Sequence, residues 1–370
     1  MSRRPVGILG AAGVAGRQAL AALAEHPWFK VATVAGSTAN AGRRLGEVID
    51  ERIAGERDVA QRLGAPTAAR TAPLPARLAD LVLADAATVE VAGLDAVFSM
   101  LPTAPARELE ARCAETTPVI STAAAWRMDA DTPLLMAGVN PDHAALLASQ
   151  QRAHGWSGWI APNPNCTTVG LVVPLAPMAR AFGVRGVTLT SMQAVSGSGA
   201  AAPDVAERVA GNVLPFIARE EEKVSAETCR ILGKLAGEAI EPLDVPVGAT
   251  CTRVGVPDGH LISVSVGLEQ AVAPGDVAAL LREEDPWKGR ELPSRPERWI
   301  EVRSEDDRPQ PALDRDAGGG LTTVVGRLRA DPVSGGVAFV VLSHNTVIGA
   351  AGGAVLLAED LADRGLLPSA

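Results

Sequence analysis

The first 25 residues set the tightest limit on the fold. Pro5-Val-Gly-Ile-Leu-Gly10 is a short apolar run that passes directly into Gly10-x-x-Gly13-x-x-Gly16, and helical spacing of apolar residues follows over 17–25. Strand, glycine turn and helix in that order build a pyrophosphate site. The glycines let the backbone turn tightly, and the first N–H groups of the helix face the anion. With 37 glycines in 370 residues the triplet alone carries little weight, and its place between strand and helix carries the argument.

The β-α alternation continues. A second strand over 30–35 ends in Gly36-Ser37-Thr38 with no acidic side chain, and Arg43 and Arg44 follow. An acidic residue there would grip a ribose 2′-hydroxyl, whereas hydroxyls and arginine suit a 2′-phosphate. The pattern therefore favours NADP over NAD; the competing reading is a solvated basic loop. Strands at 81–83, 94–101 and 118–122, with a helix over 103–113, imply a doubly wound parallel sheet, while 45–90 is the least legible stretch. Beyond residue 166 the strand-like segments 184–195, 249–256, 261–267, 321–329 and 337–342 have few helices between them, which predicts a mixed or antiparallel sheet. Residues 343–357 read as a strand end followed by a long helix that returns to the first domain. The expected division is 1–165 with 344–370 as a nucleotide-binding domain and 166–343 as a second domain, with 306–311 the nearest approach to an exposed linker.

Composition narrows the function. A net charge of -9 without a basic cluster argues against nucleic acid, and no apolar run is long enough to span a bilayer. The N-terminus leads straight into a strand, so the cytoplasm is the expected compartment. Four cysteines without paired spacing suit free thiols, and the absence of tyrosine excludes dehydrogenases with a Tyr general acid. No HExxH pattern or clustered Cys/His spacing suggests a metal.

The chemistry centres on Ala161-Pro-Asn-Pro-Asn-Cys166, after which a small-residue apolar run reads as a buried helix. Prolines and asparagines force an extended turn, placing the thiol at a helix N-terminus. Uncapped N–H groups and the helix dipole favour thiolate there. The alternative is an inert buried cysteine. A cysteine nucleophile needs a proton shuttle. Of five histidines, His260 lies between two strand segments, where a turn projects it into a cleft, and Arg253 could hold a carboxylate beside it. Either residue taken alone reads as an ordinary surface or ion-pair group. Glu220 and Lys223 share a helix face at i, i+3, which alone suggests a surface ion pair. Gln193 precedes the turn Ser196-Gly-Ser-Gly199 and could orient an acyl carbonyl there, if that segment is more than a turn.

Gly10-Ala-Ala-Gly-Val-Ala-Gly16, Asn163-Pro-Asn-Cys166, Gln193-Ala-Val-Ser-Gly197, Glu220-Glu-Glu-Lys223, Arg253 with Asp258-Gly-His260, Asp314-Arg-Asp-Ala-Gly-Gly-Gly320 and Ser343-His-Asn345 with Gly349-Ala-Ala-Gly352 occur in one order. That ordered set resembles the aspartate-semialdehyde dehydrogenases, most closely the archaeal and fungal type, over nearly the whole chain. The resemblance implies a Rossmann-type doubly wound parallel sheet plus an α+β catalytic and dimerisation domain with a mixed sheet. It implies Cys166 as acylated nucleophile, His260 as acid/base and Gln193 as the residue aligning the thioacyl group. Arg253 and Glu220 would bind the amino-acid end of the substrate, and Arg127, Asn165 and Lys223 the phosphate. Gly10, Ala12, Gly13, Val14, Ala15, Ser37, Thr38, Ser196, Gly197 and Asn345 would contact NADP. The implied partners are a small acyl phosphate, inorganic phosphate and further copies of the chain in a homodimer or homotetramer. Trp126 and Ala12 depart from the pattern, which has a smaller or more polar residue and often Thr at these positions. An acyl-CoA reductase such as malonyl-CoA reductase shares the scaffold and is the alternative. A non-catalytic NADP-binding regulator or a glyceraldehyde-type sugar-phosphate dehydrogenase ranks lower, the latter because Val169 replaces the usual Asn.

Overall fold

The computed structural model describes residues 3–62 and 74–368. Its first half runs β1 (Arg4–Leu9), α1 (Val14–Leu23), β2 (Phe29–Gly36), α2 (Leu45–Arg62), α3 (Ala76–Ala79), β3 (Ala84–Asp85) and β4 (Ala96–Ser99). It then continues through α4 (Thr103–Ala114), β5 (Val119–Ser121), α5 (Leu146–His154) and β6 (Ile160–Pro162). All six strands are parallel, in the order β3-β2-β1-β4-β5-β6. The strand order reverses between β1 and β4, which opens a crevice at their carboxyl ends. Gly10 makes the exit from β1 possible: its φ is +74°, and a Cβ there would lie 2.6 Å from the Met100 carbonyl oxygen at the end of the neighbouring strand.

The strand expected at 81–83 sits instead at Ala84–Asp85. The backbone of Leu81 and Leu83 is already bonded to 42–45, through Gly42 N–H to Leu83 O, Leu83 N–H to Arg43 O and Leu45 N–H to Leu81 O. The poorly legible stretch contributes α2 and α3, and its residues 63–73 lie outside the described residues.

The second half begins with α6 (Cys166–Phe182), β7 (Val184–Gln193), α7 (Ala202–Val209), α8 (Glu220–Ile231), β8 (Lys234–Ala236), β9 (Ala239–Glu241) and β10 (Val247–Arg253). It continues with β11 (His260–Leu268), α9 (Pro274–Glu283), β12 (Ile300–Val302), α10 (Pro311–Asp314), β13 (Thr323–Asp331), β14 (Gly336–Ser343) and α11 (Gly352–Asp363). Its main sheet is mixed, in the order β10-β7-β11-β14-β13-β12, with parallel pairs at both edges and antiparallel pairs between them. Register places Gln193 opposite Arg253 and His260 opposite Ser343, so three strands bring candidate side chains to one end of the sheet, where β14 leads on to Asn345. Helix α6 is buried from Thr167 to Met178 and packs on β11 and β14.

Two sequence expectations change. Residues 306–311 do not form an exposed linker: Pro309 is buried, and Arg308 Nε and the Gln310 N–H both donate to the buried Asp314 carboxylate at 2.7 Å. The last helix does not follow the strand directly, because a wide turn over Val347–Ala351 intervenes before α11.

Helix α11 does return to the first sheet, packing on α1 and β5. His26 Nδ1 accepts the N–H groups of Trp28 and Phe29, each at 3.1 Å, which leaves Nε2 to donate to Glu359 at 2.7 Å. The other Glu359 oxygen accepts the Ser294 N–H at 2.9 Å. Since Glu359 is fully buried, Glu359→Ala leaves the buried His26 donor and the half-buried Ser294 N–H unsatisfied and should lower unfolding free energy by about 2 kcal/mol, read as a reduced urea midpoint. Glu359→Gln keeps an acceptor for His26 and should lose about half as much.

Candidate active site

Helix α6 opens on the nucleophile candidate. Asn165 is its cap: Oδ1 accepts the N–H groups of Thr167 at 2.8 Å and Thr168 at 3.3 Å. The same side chain donates through Nδ2 to Glu220 Oε1 at 2.9 Å, and the Asn165 N–H donates to Glu227 Oε2 at 2.6 Å. The helix end expected to be uncapped is therefore capped, by the asparagine directly before the cysteine.

Cys166 Sγ lies 3.2 Å from His260 Nε2. His260 is the first residue of β11 and fully buried, so it stands behind the sulfur instead of projecting from a turn. Its Nδ1 accepts the Ala194 N–H at 3.1 Å. A neutral imidazole that accepts at Nδ1 carries its proton on Nε2, so an N–H faces the sulfur. Burial, with the charge of Arg253 and then His344, holds the ring well below the usual histidine range and keeps it neutral. Burial also pushes the Cys166 thiol up to about 12; Glu220 adds to this, and Arg253 and Arg127 oppose it. A helix N-terminus contributes at most about 2 kcal/mol, or about 1.5 pH units, which is too little to reverse that rise. The resting pair is a thiol beside a neutral imidazole, not the thiolate that the helix end alone predicts.

Two cavities meet at Cys166, Asn165 and Arg127. The larger, of about 1120 Å³, starts at Gly10, Ala12, Gly13, Val14 and Ala15, passes Ser37 and Thr38, and ends at Ser196, Gly197 and Asn345. Every residue expected to contact the dinucleotide thus lines one cleft. Gly13 precedes α1 without a side-chain cap, leaving the helix end to an anion. Asn345 braces the far end, donating to Ser196 Oγ at 2.9 Å and accepting the Gly259 N–H at 2.9 Å. A Cβ on Gly197 would come within 2.8 Å of both His260 Cε1 and Arg253 Nη1, so only glycine leaves those side chains in place.

The basic residues expected beside Thr38 are engaged elsewhere. Arg43 Nη1 bonds Glu51 at 3.1 Å and Arg44 Nη1 bonds Asp80 at 3.3 Å, because the loop carrying them faces acidic groups of α2 and the α3 end. Arg52, on α2, lines the cleft with Ser37, Thr38 and Asn40 and has no ion-pair partner among the described residues.

The smaller cavity, of about 490 Å³, brings Arg127, Lys223, Arg253 and Arg208 around Cys166 with Glu220. Glu220 makes no ion pair with Lys223; its Oε1 accepts from Asn165, from Gln193 Nε2 at 3.2 Å and from Thr167 Oγ1 at 3.5 Å. Gln193 borders neither cavity, since its amide nitrogen is held by Glu220 and by Ser191 Oγ at 3.2 Å. Sequence reasoning missed Arg52, Arg208, the Ala194 backbone and Glu227. Of these, Glu227 had a signal: seven positions after Glu220, it falls on the same face of a helix.

A thiol raised to about 12 is ionised tenfold more for each pH unit gained below that value. Alkylation of Cys166 by iodoacetamide in the substrate-free protein should therefore accelerate about tenfold per unit from pH 6 to 9. A rate that levels off within that range would mean a preformed thiolate.

Two family models cover most of the chain: the semialdehyde dehydrogenase NAD binding domain matches residues 5–147, and the semialdehyde dehydrogenase dimerisation domain matches residues 175–348. An aspartate-semialdehyde dehydrogenase of Archaeoglobus fulgidus is 42% identical, over 96% of this chain and 97% of the relative. That of Saccharomyces cerevisiae is 33% identical over 99% of each. The crystal structure of aspartate semialdehyde dehydrogenase with NADP from Candida albicans, 33% identical, superposes with a TM-score of 0.84 over 99% of this chain and 100% of that one. With its two-sheet architecture and the convergence of Cys166, His260 and a cationic pocket, the chain belongs to the aspartate-semialdehyde dehydrogenase family.

Proposed function

We infer that this chain catalyses the NADPH-dependent reductive dephosphorylation of L-aspartyl-4-phosphate to L-aspartate 4-semialdehyde through a cysteine thioacyl intermediate. The observation that carries the reading is the 3.2 Å approach of Cys166 Sγ to His260 Nε2 where the dinucleotide cleft meets the cationic pocket.

Arg253 takes the substrate α-carboxylate. Glu220 presents to the ammonium the carboxylate oxygen that Asn165 and Gln193 leave unoccupied. Arg127, Lys223 and the Asn165 side chain hold the phosphate. The Cys166 thiol gives its proton to the phosphate dianion of the bound substrate, and the Nε2–H of His260 stabilises the sulfur anion. The sulfur attacks the acyl carbon, the carbon–oxygen bond to phosphate breaks, and the departing phosphate stays on Arg127 and Lys223. The larger cleft, lined by Gly10, Gly13, Ser37, Thr38 and Asn345, would hold NADPH, which would supply the hydride that reduces the thioester carbon. The Nε2–H of His260 hydrogen-bonds the oxygen that gains negative charge; collapse of that alkoxide re-forms the carbonyl and expels the sulfur as an anion, which takes up a proton from water as the semialdehyde leaves. Gln193 orders the thioacyl group through the Glu220 carboxylate it holds.

The Candida albicans relative is solved with NADP. Ser37 and Thr38 after β2 and Arg52 on α2 supply two hydroxyls and a cation for a 2′-phosphate, and no acidic side chain follows β2 directly. The reading extends to a division of the chain into 1–165 with 344–370 and 166–343, supported by the packing of α11 on α1 and of α6 on β11. It also extends to a cytoplasmic homodimer or homotetramer joined through the second sheet. In support, Thr250, Thr190 and Ser263 are register partners across three strands and all are exposed.

The test is oxidation of aspartate semialdehyde with NADP and inorganic phosphate. Wild type should be active, and Cys166→Ala should lose at least about 10³-fold in kcat. Activity with malonyl-CoA in place of the acyl phosphate would favour the acyl-CoA reductase instead. Arg52→Ala should raise the KM for NADP about tenfold and leave that for NAD within about twofold. Equal effects on both cofactors would remove Arg52 from the 2′-phosphate site.

A further inference from the structure

We propose that Glu227 is a positioning residue that fixes the phosphate-holding guanidinium of Arg127 to the first residues of the nucleophile helix. Glu227 lies on α8, is 2% exposed and uses both carboxylate oxygens. Oε1 accepts from Arg127 Nη1 at 2.9 Å, and Oε2 accepts the Asn165 N–H at 2.6 Å. Arg127 is held on its other side by Nη2 donating to Thr122 O at 2.7 Å. One rigid carboxylate therefore sets the distance between an arginine carried on the loop after β5 and the asparagine directly before Cys166.

Attack of the sulfur on the acyl carbon needs that distance held to a fraction of an ångström, because misplacement of the phosphate relative to the sulfur is a direct loss in rate. The remaining Arg127 N–H groups stay available to an anion, and Arg127 lines both cavities.

Charge alone would make Glu227 unhelpful. A buried carboxylate there weakens the attraction of Arg127 for phosphate, and it is one of the groups that raise the Cys166 thiol. Removing its charge while keeping its shape should thus improve phosphate binding and sulfur ionisation if Glu227 acts only electrostatically, and should impair phosphate use if it acts by placement. The two roles predict opposite signs. The inference rests on the reading of Arg127 as phosphate holder, and the experiment separates the two.

The full-length protein is assayed in the oxidative direction with aspartate semialdehyde, NADP and varied inorganic phosphate, together with the rate of Cys166 alkylation by iodoacetamide. For Glu227→Gln, the KM for phosphate should rise at least about tenfold and kcat should fall, with the KM for semialdehyde within about twofold and alkylation no slower than wild type. Arg127→Met should raise the phosphate KM by itself, and Arg127→Met/Glu227→Gln should match it, because both changes act on one contact. Glu227→Asp keeps the charge but is one methylene too short to span both partners. It should show the same phosphate defect, and it decides the question if the Gln variant does not fold. An unchanged or lowered phosphate KM in the Glu227 variants overturns the proposal, as does a parallel loss in phosphate KM, semialdehyde KM and alkylation. An unchanged phosphate KM in Arg127→Met overturns the reading of Arg127 itself.

Discussion

Cys166 and His260 are 94 residues apart in the chain and 3.2 Å apart in space. Neither end of that contact can move alone. The sulfur is carried on the first turn of a helix buried from Thr167 to Met178, and the imidazole begins a central strand of the second sheet and is tied back by the Ala194 N–H. Helix α6 packs on that same sheet, so the contact is made across a close-packed interface in which a displacement of one methyl group would be felt. The dinucleotide cleft and the substrate pocket are two approaches to this fixed pair.

The pocket has to attract an anion without freezing the chemistry, and its charges are arranged accordingly. Arg127, Lys223, Arg253 and Arg208 give the cavity a positive field that favours an anion. Glu220 and Glu227 sit among them in buried positions, each fully occupied on at least one oxygen by Asn165. Asn165 is thus the junction of the site: its Oδ1 caps α6, its amide nitrogen orients one carboxylate, and its backbone N–H meets the other. A substitution at this position would disturb the α6 cap, Glu220 and Glu227 together, because the three share one residue's donors and acceptors.

The low-dielectric surroundings that make these contacts strong also keep the resting sulfur protonated and the resting histidine neutral. Both effects have one cause, the removal of water from a charged form.

Local pattern was enough for much of this protein. The N-terminal strand, its glycine turn and its helix, the parallel pairing of the first sheet and the helix starting at Cys166 all follow from short-range spacing, because hydrophobic period and turn chemistry act over a few residues; that Asn345 lines the same cleft as Gly10 came only from the family resemblance. Tertiary structure decided what depends on distant partners. Whether Arg43 or Arg52 faces the cleft turned on where Glu51 points, and whether 81–83 pairs with β2 turned on the backbone at 42–45. The protonation of Cys166 turned on how much water the second sheet excludes, and the tautomer of His260 turned on a backbone N–H 66 residues away. Sequence determines which groups are available. Only the folded chain determines which of them meet and how far from water, and those two quantities set every hydrogen bond and every proton affinity in the site.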